Sequence, residues 1–270
     1  MFEHIRSVQN PRVKNLVRLR EGSHRRRQQR FLIEGFREIT RARACGWPLE
    51  TLFFCEELFK QEEAFDLLEA CARAGLEVVQ LGPEAFRKAA YREGPDGLLA
   101  VGVQQERSLD ALPLSPCPLL VVLEAVEKPG NLGAIFRTAA AAGADALLLA
   151  DPVTDPFNPN AIRASQGALF DLPFSCAGSP AVMAFLERHR IQPVLTSPAA
   201  PALLWEARLD QPVALVFGAE ERGLSPAWLD RHPGYRLPMH GVSDSLNIAS
   251  TVAVALFEAV RQRQPQACGR

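Results

Sequence analysis

The stretch Leu119-Leu-Val-Val-Leu-Glu124-Ala-Val-Glu-Lys128-Pro-Gly-Asn131-Leu-Gly-Ala-Ile-Phe-Arg137-Thr-Ala-Ala-Ala-Ala-Gly143-Ala-Asp-Ala146-Leu-Leu-Leu-Ala150 reads as a single supersecondary unit. Leu119–Leu123 is continuously apolar, the pattern of a strand covered on both faces. A polar turn, Glu127 to Asn131, leads into a helix from Leu132 to about Ala142, which Gly143 closes in the C′ position. Ala146–Ala150 is a second buried strand. Two strands joined through a helix lie parallel, so this is a βαβ unit in an α/β protein. Further strands are expected at Gln192–Thr196, Val213–Phe217 and Tyr235–Met239, with helices over 180–190, 226–231 and 246–263.

Upstream, residues 1–103 alternate helical segments (10–21, 35–45, 60–74, 83–91) with short apolar runs at Phe31–Ile33, Leu52–Cys55, Glu77–Leu81 and Leu98–Val103, the pattern of a small α/β domain. The segment 104–117, QQERSLDALPLSPC, loses periodicity and gains Pro and Ser. The expected division is a domain over 1–105, a linker over 106–117 and a second domain over 118–270. At 270 residues the chain is long enough for two cores.

Charge is balanced overall but not locally. Residues 1–40 carry ten Arg or Lys, among them Arg20, Arg25, Arg26, Arg27, Arg30 and Arg37, against four Glu. Such a local excess suits contact with a polyanion, and it equally suits a solvated helix face. The six cysteines, Cys45, Cys55, Cys71, Cys117, Cys176 and Cys268, form no C-x-x-C and no Cys/His cluster with zinc spacing, so no metal is expected and they read as small buried hydrophobes in a reducing compartment. The start, Met-Phe-Glu-His-Ile-Arg, has no apolar signal core, and no run of 18 apolar residues suggests a membrane span. A soluble cytoplasmic protein is the expectation.

Three polar turns each follow an apolar run and precede a helix, which delivers them to the carboxyl ends of parallel strands, where open α/β sheets bind ligands. In the first, Asn131 stands where an N-cap belongs, and a plain cap would explain it. Arg137 lies opposite the core face of Leu132, Ile135, Phe136 and Ala139, among Gly133, Ala134, Thr138 and Ala141. A lone cation on a small-residue face is either solvated or covered by a ligand or another subunit. In the second turn, Gly218-Ala-Glu220-Glu-Arg-Gly223, the glycines allow close backbone approach or positive φ, and the doublet Glu220-Glu221 leaves open which carboxylate points inward. In the third, His240–Ser245, either Asp244 or Ser245 is a candidate cap for the following helix. Asn247, in the first turn of an apolar helix, calls for a partner.

The chain has no G-x-G-x-x-G, no P-loop lysine and no G-x-S-x-G elbow. Its three turns in order do resemble motifs 1, 2 and 3 of the SpoU (TrmH-like) branch of the SPOUT RNA methyltransferases. The resemblance is carried by Asn131, Arg137, Ala139 and Gly143, then Gly218, Glu220 and Gly223, then Pro238 through Asn247. The segment Arg26-Arg-Gln-Gln-Arg-Phe31-Leu-Ile-Glu34-Gly35 also resembles that family's substrate-binding domain.

The resemblance implies a parallel-sheet SPOUT domain with a deep trefoil knot at the carboxy end, preceded by a small ribosomal-protein-like α/β domain. It implies a homodimer, S-adenosylmethionine as methyl donor, and 2′-O-methylation of a ribose, with 23S ribosomal RNA favoured. A transfer-RNA methyltransferase of the same fold and a knotted RNA-binding protein without catalysis are the alternatives. By the same implication Asn131, Arg137, Glu220, Ser245 and Asn247 are active-site residues. Phe217, Gly218, Leu237, Met239, Leu246 and Asn247 would hold the cofactor. Arg20, Arg25, Arg26, Arg27, Arg30 and Arg37 would meet RNA. Arg137 would either activate the 2′-hydroxyl or anchor the adjacent phosphate.

Overall fold

A computed structural model describes residues 2–242 and 244–264. Two compact units emerge, one formed by residues up to 105 together with 155–171, the other by 106–154 together with the chain from 172 onward.

In the first unit the elements are β1 (Glu3–Ile5), α1 (Pro11–Arg18), α2 (Gly22–Gln28), β2 (Arg30–Glu34), α3 (Phe36–Ala44), β3 (Leu49–Phe54), α4 (Glu63–Arg73), β4 (Glu77–Leu81), α5 (Pro83–Ala89) and β5 (Leu98–Val103). The sheet order is β1-β4-β3-β5-β2, with β1 and β3 parallel to β4, and β5 antiparallel to both its neighbours. Val13 and Leu16 of α1 pack with Phe53, Val79, Leu81, Phe86 and Leu99 into one core. Asn10 caps α1 by accepting from Arg12 N at 2.8 Å, and Pro11 takes the first helical position. The helix expected over 10–21 ends at Arg18, and α2 follows it. With no apolar stripe in Gly22–Gln28, periodicity gives no sign of that helix.

The second unit contains β6 (Leu119–Glu124), α6 (Pro129–Ala141) and β7 (Ala146–Ala150); the next helix in the chain, α7 (Pro159–Ser165), belongs to the first unit. It continues with β8 (Phe174–Ala177), α8 (Ser179–Arg188), β9 (Gln192–Thr196), β10 (Ala202–Leu203), β11 (Val213–Phe217), α9 (Pro226–Leu229), β12 (Gly234–Arg236) and α10 (Ile248–Arg263). Its seven-stranded sheet is parallel throughout, in the order β10-β12-β9-β11-β6-β7-β8. Because β11 pairs with β6 in the register Phe217 to Leu123, the turns leaving both strands start side by side. One core cluster gathers Leu120, Val122, Leu148, Val182, Phe185, Leu195, Val216 and Trp228. Helix α10 packs on α6.

Two segments are held by contacts that periodicity does not show. Residues 155–171 group with the first unit although they lie between strands of the second sheet. Phe157 and Phe170 pack on Phe31, with centroids 4.6 and 6.2 Å away. Asp155 pairs with Arg25, and Arg41 Nη1 donates to Gln166 O at 2.8 Å. The segment 106–117, expected as a linker, is packed. It holds a 3-10 turn at Leu109–Ala111, Leu112 is buried with the second core, and Ser115 N donates to Asp145 Oδ1 at 2.6 Å. Among the described residues no helix is long and apolar enough to cross a membrane. Cys55 and Cys71 are buried, and burial pushes both thiols up from their ordinary value. Cys45 and Cys176 are exposed and Cys117 is half-buried, contrary to the expectation of buried hydrophobes; Cys268 lies outside the described residues.

Candidate active site

At the carboxyl edge of the second sheet, helix α6 starts three residues earlier than the sequence suggests. Lys128 is its N-cap and Pro129 its first residue, so Asn131 sits inside the first turn and is not the cap. Freed from capping, Asn131 faces its neighbours. Its Nδ2 donates to Glu220 Oε1, and its Oδ1 accepts from Asn247 Nδ2 at 3.3 Å. The other Glu220 oxygen pairs with Lys128 Nζ at 2.7 Å. That contact pushes the Lys128 ammonium above its ordinary value. Asn247 turns out to be the N-cap of α10, accepting from Ala249 N at 2.9 Å; neither Asp244 nor Ser245 is the cap. The three turns therefore converge through Asn131, Glu220 and Asn247.

The two glycines of the second turn serve different needs. A Cβ on Gly218 would lie 2.1 Å from Gly223 C and 2.3 Å from Leu224 N, so only glycine permits the backbone to pass. Gly223 has φ of +68° and donates its N–H to Ala219 O at 2.9 Å. This tight turn aims Glu220 inward and leaves Glu221 exposed, which resolves the doublet.

Beside these groups lies a cleft of about 1030 Å³. Phe217, Gly218, Leu237, Met239, Leu246 and Asn247 all line it, and so do Glu220 and the exposed Ser245. Lys128, Thr196, Ser197, Tyr235 and Arg236 line it too, and the sequence did not single them out. Lys128 shares a turn with Asn131, and Thr196 ends β9, so the strand-end rule applied to every strand would have found both. Arg137 is exposed and does not line the cleft of its own chain; nor does His240.

In the first unit the arginines separate into two kinds. Arg25 is only 2% exposed, with Nε and Nη2 on Asp155 Oδ2 at 2.7 and 2.6 Å and Nη1 on the carbonyls of Leu19 and Arg20. Arg20 Nη2 donates to Lys88 O and Ala90 O, and Arg30 pairs with Glu50. Arg25 is thus part of the buried scaffold, while Arg20 and Arg30 are half-buried with partners in the same unit. Arg26, Arg27 and Arg37 are exposed, and Arg27 Nη2 lies 2.7 Å from His24 Nδ1.

The SpoU rRNA Methylase family profile matches residues 118–257, the span that contains all three turns. The chain belongs to that family. A second profile, the MRM3-like substrate binding domain, matches residues 10–100 of this SpoU protein. Among its relatives is a 23S rRNA uridine 2′-O-methyltransferase of Streptomyces viridochromogenes, 33% identical over 88% of this chain and 85% of the other. A solved RNA 2′-O ribose methyltransferase is 41% identical over 96% of this chain and 99% of that one, with a TM-score of 0.83. The SpoU methyltransferase AviRb of S. viridochromogenes, solved in complex with AdoMet, is 31% identical over 97% and 100% of the two chains, with a TM-score of 0.86.

Proposed function

We propose that this SpoU-family protein transfers a methyl group from S-adenosylmethionine to a ribose 2′-hydroxyl of RNA, with 23S ribosomal RNA as the substrate. One observation carries the reading: Asn131, Glu220 and Asn247, from three separate turns, meet beside a cleft of ligand size. The relatives named above act on ribosomal or other RNA at the 2′-oxygen, which supports the choice of substrate.

The cleft suits the donor. Its wall joins apolar Phe217, Leu237, Met239 and Leu246 to hydroxyls at Thr196 and Ser197, with side chains of both charge signs at Glu221 and Arg236. These match a molecule that combines an aromatic base, a ribose and a zwitterionic amino acid. When bound, S-adenosylmethionine supplies a methyl on a sulfonium, already a strong electrophile, so the protein's work is mainly alignment. Asn131 and Asn247 orient the ribose, and Glu220 fixes both Asn131 and Lys128. Ser245 stands free at the rim to meet the ribose or its phosphate.

Arg137 belongs to this reading through a second copy of the chain. A guanidinium stays protonated in proteins, so its contribution is positive charge held near the phosphate and the developing oxyanion. Support for a homodimer comes from α10, which packs on α6 and leaves Val254 and Phe257 exposed. The trefoil knot is part of the same reading, supported by the match of residues 118–257 to the SpoU family profile. RNA contact at Arg26, Arg27 and Arg37 belongs to it as well, as does a cytoplasmic location. Mapping 2′-O-methyl sites in 23S RNA from cells with and without the gene tests the function. One site lost on deletion is expected; an unchanged map would overturn it.

A further inference from the structure

The geometry points to Glu124 as the positioning residue that holds the turn 218–224, and with it Glu220, in register with Asn131 and Lys128. The inference rests on the reading of those residues as the ribose-orienting group.

Glu124 ends β6, is only 6% exposed and forms no ion pair among the described residues. A carboxylate so placed needs donors to offset its lost hydration. Two of them come from one residue. Ser225 N donates to Glu124 Oε2 at 2.8 Å, and Ser225 Oγ donates to Oε1 at 2.7 Å. The one proton of the Ser179 hydroxyl goes to Asp151 Oδ2 at 2.6 Å, so its 3.3 Å approach to Glu124 Oε1 adds little.

Ser225 is the N-cap of α9, yet its hydroxyl makes no capping bond to that helix. A capping serine normally satisfies its own first turn. Here it is turned outward to Glu124, and α9, four residues long, has little rigidity of its own. The turn 218–224 is consequently fixed at both ends from outside. β11 holds its entrance at Phe217, and Glu124 holds its exit at Ser225. The same Glu124 starts the connection leading to Lys128 and Asn131. One side chain thereby sets the two turns whose contact makes the site.

The test compares Glu124→Gln, Ser225→Ala, the double variant and Ser179→Ala, using the full-length protein, S-adenosylmethionine and a 23S RNA transcript. The amide keeps the size of the side chain but replaces one acceptor with a donor. Glu124→Gln and Ser225→Ala should each lower kcat about 10- to 100-fold, with KM for RNA changed less than about 3-fold, because misplacement acts on alignment. The double variant should be no worse than the poorer single one, since both break the same contact. Ser179→Ala should stay within about twofold of wild type. Amide hydrogen exchange at 219–224 should accelerate in Glu124→Gln and in Ser225→Ala while the centre of the sheet stays protected. Exchange reads the turn even if the wild-type chain transfers no methyl, an outcome that would sink the proposed function and leave Glu124 still tested. Unaltered exchange with wild-type kcat, or losses that multiply in the double variant, would overturn the inference. Should Glu124→Gln fail to fold, Ser225→Ala alone decides it by the same two measurements.

Discussion

Lys128 Nζ and Glu220 Oε2 form an ion pair at the rim of the cleft, and the lysine keeps 69% of its side chain in water. Water screens such a pair, so its weight in folding is small and its use is local. Lys128→Gln should leave the melting temperature unchanged while lowering the slope of RNA affinity against salt by about one. An unaltered slope would confine Lys128 to holding Glu220. Asn247 differs, because it both caps α10 and reaches Asn131. Asn247→Ala should cost about 1 kcal/mol in denaturant unfolding, the usual size of a lost N-cap, and should also lower turnover. At this scale the sequence was informative about identity and poor about attachment. Asn131 reads as a helix cap and Asn247 as a polar residue needing a partner, and the structure reverses the two roles. Which of them capped a helix depended on where α6 and α10 began, and Lys128-Pro129 and Asn247 set those starts by one turn or less.

Helix α2 shows why the Arg25-Arg-Arg27 run could not be apportioned from composition. Successive helical residues point about 100° apart, so one of three neighbours faces inward while the others face water. Arg25 is the inward one, and its partner Asp155 lies 130 residues away, beyond the reach of any local pattern. Removing one member of a buried pair strands the other, at about 3–5 kcal/mol. Arg25→Ala should therefore lower stability by that order and Arg26→Ala hardly at all, whereas RNA binding should weaken in Arg26→Ala with its fold intact. Thermal melts and filter binding at two salt concentrations separate the two; equal melting temperatures would remove Arg25 from the scaffold. Helix α1 offers a pH test. Arg12 bridges Glu3 of β1 and Glu77 of β4, and its guanidinium holds the Glu77 carboxyl below the usual carboxylate range. A depressed carboxyl pKa stabilises above the ordinary value, and that benefit fades as pH falls through the lowered one. The two side chains are a third to a half exposed, so the difference between wild type and Glu77→Gln should be under about 1 kcal/mol at neutral pH and vanish in acid.

For the whole molecule, the βαβ stretch from Leu119 to Ala150 correctly announced a parallel sheet, because buried parallel strands are apolar throughout and need no tertiary information to be seen. The grouping of residues 155–171 with the first unit has no such signal in the sequence. Their hold is Phe157 and Phe170 on Phe31, a contact between distant segments that leaves no periodic trace.

Arg137 poses the remaining question of how many copies make one site. It follows Asn131 by six residues on α6, about 9 Å along the axis and roughly 240° around it, so the two side chains leave the helix in different directions. In its own chain Arg137 is exposed and outside the cleft. If the proposed homodimer forms, two-fold symmetry lets each copy lend its arginine to the other's cleft. Arg137→Ala and Asn131→Ala, each inactive alone, should then complement when differently tagged copies are co-expressed and the mixed dimer is isolated. One of its two clefts would hold both native groups, giving about half the wild-type rate per dimer by that symmetry. Light scattering must first find two chains per particle. A mixed dimer without activity would return Arg137 to its own chain or exclude it from the chemistry.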